Sequence, residues 1–379
     1  MPLSLRGVFF LAFSIALLAQ TPAVPVSNAL DFRTIPRPPV PADPLELVTS
    51  AAQPVQDAQQ RIAAIGLLNK ARDLSNIRAQ PYDLKTSFSA FGGLTSDGSW
   101  MLEDISPGRG YRWTAQGPNY SAINLYPESV RSGLYGNQAS AILPLRLMQV
   151  RGAIFFAYPT VGPQASVRTA TGILNGTQLR CVLIVIGAGN RSFTGGRNWE
   201  ESEYCVDSGT GLLTTYSPVP GLFVHYDYSP AIRFHGKFIP AGFTISEAGR
   251  VVAEARTVGV TDPPPSTDPI YNPAGLVALG AGRAMNPGVN MPIVMPAPGQ
   301  PLPASNAEAA VQVVTLHGNV SGDGRLSEVE ILASTDASLN QAALDRANML
   351  AQVRMQRQPG ATAQSSELVM TLEFVAPAR

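Results

Sequence analysis

The chain has 379 residues, and Lys plus Arg equals Asp plus Glu at 27 each, so its formal net charge is zero. This balance leaves no net field to attract nucleic acid or an anionic membrane surface, and no nucleic-acid partner is expected. Charged residues make up 14% of the chain, below the roughly 25% of ordinary soluble domains, while Gly (34) and Pro (33) are abundant. The composition favours turns, short strands and linkers, and it indicates a β-rich protein from outside the cytoplasm.

A short apolar segment near the N-terminus is typical of an export signal. Arg6 precedes an apolar run over 8–19, which is shorter than the about 20 residues of a membrane-spanning helix. We predict a signal peptide over 1–23, with an uncleaved short anchor as the alternative. A Pro-rich extended segment is expected over 24–44.

The two cysteines, Cys181 and Cys205, predict a disulfide. Exported chains meet an oxidising environment, and each cysteine lies in a predicted strand, so neighbouring strands could bring the two sulfurs together. Two separate buried thiols are the alternative. Two cysteines and three scattered histidines offer too few ligands for a metal site, and we expect neither a metal nor a cofactor.

The central part, 45–261, predicts one helix followed by many short strands. Apolar residues at helical spacing predict an amphipathic helix from about Val55 to Leu74. A further helix is expected around 139–150. Strands are expected over 82–91, 100–105, 111–114, 154–158, 179–186, 200–206, 212–216, 223–228, 238–246 and 251–260. The pattern predicts an α+β fold in which a curved, half-barrel-like antiparallel sheet carries a packed helix.

The aromatic residues of the central part could line the concave face of this sheet or fill its core. They are Trp100, Tyr111, Trp113, Phe155, Phe156, Phe223, Tyr226, Tyr228 and Phe243.

The central part resembles the LolA/LolB-like family of periplasmic half-barrels. The resemblance is carried by the predicted helix and the following Tyr82-Asp83-Leu84-Lys85, by the Gly98…Glu103…Pro107…Tyr111-Arg112 hairpin, and by the segment 207–216. It implies a carrier that holds an acyl chain against the concave face of the sheet, and it identifies no lipid-binding residue.

A linker and a small α+β unit complete the chain. The segment 262–305 opens with three consecutive prolines and predicts an extended Pro/Gly-rich linker. Within 306–379, alternating strands over 311–316 and 326–332 flank the turn pair Asp323-Gly324. The capping box Ser338-x-x-Gln341 begins a helix, and a strand over 368–375 follows. The order predicts a small ββαβ unit.

This C-terminal unit resembles the C-terminal domain of TonB-type energy transducers. The segments that carry the resemblance are 320–329, 334–344 and 367–374. The resemblance implies a domain that captures a peptide segment of an outer-membrane receptor by strand addition at a sheet edge. The predicted edge consists of Leu368, Val369, Met370, Thr371, Leu372, Glu373 and Phe374. The alternative is an edge that is paired within the protein or in a homodimer.

Three further groups of residues could indicate a site, but ordinary structural roles explain each of them better. The spacing from Asn319 to Glu330 fits a calcium loop, but a hairpin turn explains the same glycines. The loop 187–190 lacks the helix that a dinucleotide site needs, and His225, His235 and His317 lack a catalytic frame.

The leading hypothesis is an exported, non-enzymatic periplasmic or cell-envelope protein whose C-terminal unit binds a peptide, with a link to outer-membrane transport. The alternative is a periplasmic lipid or lipoprotein carrier that uses the concave face of the central sheet. An enzyme with an unrecognised site in that concavity is the third hypothesis.

Overall fold

A computed structural model describes residues 50, 52–55, 57–90, 100–117, 120–126, 132–135, 142–155, 157–186, 197, 201–218, 221–272, 293–302, 309–320, 325–356 and 366–377. Within these ranges the chain is an α+β protein built mostly from antiparallel strands, as predicted. The predicted signal peptide over 1–23 and the segment 24–44 lie outside the described residues. No helix among the described residues is both long and apolar enough to span a membrane.

The central part contains two helices, α1 (Ala58–Ser75) and α2 (Ile142–Phe155), and fifteen described strands. The first six strands are β1 (Gln53–Pro54), β2 (Tyr82–Ala90), β3 (Trp100–Ser106), β4 (Tyr111–Gly117), β5 (Tyr120–Tyr126) and β6 (Ser132–Tyr135). After α2 come β7 (Ser166–Leu174), β8 (Thr177–Val185), β9 (Ser202–Asp207), β10 (Leu213–Ser217) and β11 (Leu222–Asp227). The series ends with β12 (Ile232–Phe234), β13 (Lys237–Ile239), β14 (Gly242–Glu247) and β15 (Arg250–Thr261).

Thirteen of these strands form one sheet in the order β1-β7-β8-β9-β10-β11-β14-β15-β2-β3-β4-β5-β6. All of its described pairings are antiparallel, and β12 and β13 form a separate hairpin. The two chain segments on either side of α2 therefore meet through β15 and β2, which pair from Ala253–Ala90 to Thr261–Asp83.

The main hydrophobic core lies between one face of this sheet and the two helices. Helix α1 contributes Ala64, Leu68 and Ala71, and α2 contributes Leu147, Val150 and Ala153. These small and medium side chains pack against residues of ten strands, and the period-two burial pattern in β2 and β10 reflects this contact on one face of the sheet.

Several elements differ from the prediction: β5, β6 and β12 were not predicted, and the predicted strand over 238–246 is divided between β13 and β14. The segment 154–158 was expected to be a strand, but Ile154 and Phe155 are the last turn of α2. A short apolar run fits a buried helix end as well as a strand, and here the helix continues from 142. The hairpin of β7 and β8 has its first strand at Ser166–Leu174, where no strand was predicted.

The C-terminal part is the predicted ββαβ unit with one additional strand. Strands β17 (Ala309–Val320) and β18 (Leu326–Ser334) precede α3 (Asn340–Gln356), and β19 (Ser366–Pro377) follows it. Asp336, rather than the predicted Ser338, caps the first turn, because its Oδ1 accepts from the Ser338 amide at 2.9 Å. One face of the sheet packs Val314, Leu316, Met370, Leu372 and Phe374 with the α3 residues Ala343 and Ala347.

The additional strand, β16 (Ile293–Pro296), comes from the segment that was predicted to be a linker. It pairs in parallel with β19, from Ile293–Leu372 to Pro296–Val375, so the sheet order is β16-β19-β17-β18. Proline has no backbone N–H to donate. A segment that contains prolines can still form the outermost strand of a sheet, because such a strand needs hydrogen bonds on one side only.

The predicted free edge is therefore wrong at Leu372, Glu373 and Phe374. Strand β19 pairs with β17 along its whole length and with β16 over these residues, and the Ala297 amide extends the pairing by donating to the Val375 carbonyl at 2.9 Å. Its backbone groups are already satisfied there, so a peptide cannot add at these positions.

Candidate functional site

Helix α1 crosses the sheet with its N-terminal half above β7 and is fixed in place at both ends. At the start, the Asp57 side chain accepts from the Gln59 amide at 2.6 Å. The Arg61 guanidinium donates to the Ala165 and Gly162 carbonyls at 2.9 Å each. At the end, Lys237 Nζ donates to the Asp73 carbonyl at 2.5 Å. The position of the helix is thus set by hydrogen bonds to the segments around it.

An open groove runs between the N-terminal half of α1 and the β1–β7–β8 border of the sheet. We refer to it as the α1 groove, and its volume is about 470 Å³, within the roughly 300–1,000 Å³ typical of small-molecule sites. Its apolar lining residues are Val55, Ala63, Ala64, Leu67, Ala170, Cys181 and Val182. Its polar lining residues are Ser50, Gln53, Gln60, Thr169, Thr171 and Arg180.

The apolar and polar linings are segregated along β8. Val182 is fully buried and belongs to the main core, whereas Arg180, two residues earlier on the same face, is exposed. Thr171 lies opposite Arg180 on β7, and Ser50 Oγ accepts from the Thr171 amide at 2.9 Å. The groove therefore has an apolar inner end and a polar, solvent-facing rim.

The rest of the predicted concavity is filled by protein. Trp100, Trp113, Tyr226 and Phe243 belong to the main core beneath the helices, with Tyr111 and Tyr228 packed against it. Phe223 lies on the opposite face of the sheet, stacked on His225 with ring centroids 5.8 Å apart. Phe155 stacks on Tyr82, and Phe156 lies outside the described residues. The core-filling interpretation is correct for most of this set.

A second cavity beside these tyrosines measures about 20 Å³, space for about one water molecule. Around it, Tyr226 Oη donates to the Ala153 carbonyl at 2.7 Å, and Tyr158 Oη is 2.8 Å from Ser75 Oγ. Burial raises the pKa of Tyr158 to about 12 and the pKa of Tyr226 well above its usual value. These phenols stay neutral and complete the core rather than forming a ligand site.

Buried ion pairs hold the sheet to the segments that cover it. Arg146 of α2 pairs with Glu247 at 2.7 Å, Arg151 with Asp104 at 2.6 Å, and Arg168 with Glu201 at 2.6 Å. Glu201 receives two donor atoms from Arg168. Asp104 and Glu247 each receive three, because Tyr82 Oη also donates to Asp104 and the Gln149 amide also donates to Glu247. Paired and hydrogen-bonded in this way, these charges have a structural role.

The predicted disulfide between Cys181 and Cys205 is present and bridges directly opposite residues of β8 and β9. Glu203 Oε1 lies 3.4 Å from Cys205 Sγ, so the three side chains form a compact group. Both sulfurs are consumed by the bond. Sequence reasoning predicted this pairing correctly from the two strand assignments.

Each of the two described histidine side chains lies within hydrogen-bond distance of a polar side chain. His225 Nδ1 is 3.1 Å from Thr215 Oγ1, and His235 Nε2 is 2.6 Å from Asp262 Oδ1 at an exposed position. The side chain of His317 lies outside the described part of the chain.

Sequence reasoning missed β7, one of the strands that line the groove. The Asn175-Gly176 pair forms the tight turn between β7 and β8, with φ of 49° and 80°. Asn-Gly between two strand-like runs is the strongest short-range hairpin signal. It would have identified both strands that line the groove.

Comparison with known proteins gives no match to any family model and no match among curated proteins. Among solved structures, a domain described as an outer membrane lipoprotein-sorting protein from Vibrio parahaemolyticus matches with a TM-score of 0.33 and 6% identity. The match covers 56% of this chain and 97% of that one. A LolA superfamily protein from Nitrosomonas europaea matches with a TM-score of 0.34 and 10% identity, over 55% of this chain and 96% of that one.

The sequence identities are 10% or lower, and neither TM-score reaches 0.5. Both scores are low, so the function below is argued from the groove itself.

Proposed function

We propose that this protein is a non-enzymatic carrier of the cell envelope that binds the acyl chain of a lipid or lipoprotein in the α1 groove. The observation that carries the proposal is an open cavity of about 470 Å³ with an apolar inner wall and a polar rim. An amphiphile satisfies both parts, because its chain covers apolar surface while its head group stays in water.

The chemistry of the lining favours binding over catalysis. Its described polar side chains are hydroxyls, amides and one guanidinium. None of these groups changes protonation near neutral pH, and general acid–base catalysis depends on a group that does. The groove therefore supplies contacts and hydrogen bonds but no proton shuttle.

The disulfide supports the proposed compartment. Cys181–Cys205 joins two neighbouring strands of the sheet, and such bonds persist mainly in oxidising compartments outside the cytoplasm. With the export signal expected over 1–23, this favours the periplasm.

The homodimer expected through the C-terminal unit stays a prediction.

A substitution that fills the groove tests the function. Ala63 is exposed and lines the groove, so Ala63→Trp places an indole where the acyl chain would lie. We expect the affinity of the delipidated full-length chain for a fluorescent fatty-acid analogue to fall by about tenfold or more. Fluorescence titration measures the change directly.

Ile62→Trp is the matched control. Ile62 neighbours Ala63 on the same helix, is 70% exposed and does not line the groove. This variant should bind the analogue as the wild type does. Wild-type affinity in Ala63→Trp, or no binding by the wild-type chain, would overturn the proposal.

A further inference from the structure

We propose that Arg180 selects amphiphiles with an acidic head group, so that the α1 groove takes anionic lipids. This inference rests on the carrier function proposed above and names the substrate class of the same site.

Arg180 is the one charged side chain among the described residues that line the groove. It is exposed, and no hydrogen bond or ion pair joins it to another described residue. The buried arginines behave differently, since Arg146, Arg151 and Arg168 are each paired with a carboxylate. A guanidinium stays charged at all relevant pH values, so Arg180 presents an unpaired positive charge at the rim.

The position of Arg180 matches the geometry of an amphiphile. Along β8 the groove-side residues change from exposed Gln178 and Arg180 to buried Val182. A chain that enters along this strand places its methylene groups against Ala63 and Leu67 of α1, and its head group remains beside Arg180. Polarity along one strand thus sets the orientation of the ligand.

The guanidinium recognises a carboxylate and a phosphate by the same chemistry. Both present two oxygens to a planar fork of N–H donors, and charge-assisted pairs of this kind are stronger than neutral hydrogen bonds. The shared feature is an anionic oxygen group on an acyl chain, and two ligand sources carry it: free fatty acids and acidic phospholipids.

Four probes of equal chain length separate these sources: palmitate, palmitoyl-lysophosphatidylglycerol, zwitterionic palmitoyl-lysophosphatidylcholine and neutral monopalmitoylglycerol. We expect the full-length chain to bind an acidic probe more tightly than the neutral one. Arg180→Gln should weaken the acidic probe about tenfold and leave the neutral probe unchanged. Higher salt should reduce the wild-type preference and have no such effect in the variant.

Arg250→Gln is the control, because Arg250 is also exposed at a strand of the same sheet but does not line the groove. Loss confined to palmitate identifies a carboxylate head group, loss confined to the lysophospholipid identifies a phosphate, and either result supports the inference. Equal binding of acidic and neutral probes, or equal weakening of both by Arg180→Gln, overturns the inference and leaves the carrier function intact. Failure of all four probes to bind overturns both.

Discussion

Among single residues, Glu373 of β19 has the environment least suited to a charged carboxylate. It is fully buried, and neither carboxylate oxygen has a hydrogen-bond partner among the described residues. Burial raises its pKa to about 8, although the positive charge of Arg197 lowers it in part. Arg197 is itself paired with Glu203 at 3.1 Å. Glu373 therefore holds its proton at neutral pH in the folded protein.

This proton makes stability depend on pH in a defined direction. The unfolded chain releases it near the ordinary pKa of 4.5, and the folded chain only near 8. The folded state thus binds this proton more tightly, so the contribution of Glu373 to stability is largest below pH 4.5 and is lost as pH rises from 4.5 through 8. Glu373→Gln lacks this titration, and its stability relative to the wild type should rise over the same interval by roughly a few kcal/mol.

Urea unfolding at about pH 4, 6, 8 and 9 measures the effect as a difference in unfolding free energy. Glu254→Gln is the control, since Glu254 is an exposed carboxylate in β15. If the wild type and Glu373→Gln change in parallel with pH, Glu373 is ionised in the folded protein and the prediction is wrong.

At the scale of elements, local sequence predicts the type of most segments but not their neighbours. The apolar spacing from Val55 to Leu74 predicts α1, found at Ala58–Ser75, and the period-two runs predict β8, β9 and β10. The strand β16 was hidden within a Pro-rich segment, since its four residues become a strand only by pairing with β19. The groove was not predictable in the same way, because it depends on where α1 crosses β7 and β8.

Helix α1 offers a stability prediction that isolates backbone conformation. Gly66 lies inside the helix, and a Cβ built there would meet no atom within 4 Å. Gly66→Ala should raise the unfolding free energy by about 0.5–1 kcal/mol, because alanine loses less conformational freedom in a helix than glycine. The midpoint of urea unfolding measures this gain.

Gly176→Ala is a control for which we expect a change in stability of the opposite sign. A Cβ there also meets open space, but φ is +80° in the turn between β7 and β8. Gly176→Ala should lower stability by about 1 kcal/mol, since alanine disfavours a left-handed conformation. Equal effects of the two substitutions would contradict the assigned backbone conformations.

At the scale of the whole molecule, the C-terminal sheet uses both of its faces. One face packs on α3, and the other places Val313 against Ala248 at the turn between β14 and β15 of the central sheet. Glu373, which is cross-strand from Val313, faces the central arginine Arg197. The sequence predicted a C-terminal unit separated from the central part by a linker. A contact between residues that are distant in the chain produces no local periodicity, so the sequence contains no sign of it.

The central part and the C-terminal sheet approach each other closely at Gly221, where an added Cβ would lie 2.3 Å from Val313 Cγ2. Gly221→Ala should therefore destabilise the chain by more than Gly176→Ala, since it adds this overlap to the strain of a φ of +85°. Val313→Ala alone should also cost stability, by about 1–3 kcal/mol, because Val313 is buried. In the double variant the overlap with Cγ2 disappears, while the contact with the Cβ of residue 313 at 3.2 Å and the backbone strain remain.

A double-mutant cycle on the unfolding free energy measures this contact. The cost of Gly221→Ala plus Val313→Ala should be smaller than the sum of the two single costs, with a coupling above about 0.5 kcal/mol. Independent sites add to within about that margin, so additive costs would show that the two sheets do not touch at this point. Gly176→Ala combined with Val313→Ala should be additive, because an added Cβ in the β7–β8 turn meets no atom within 4 Å.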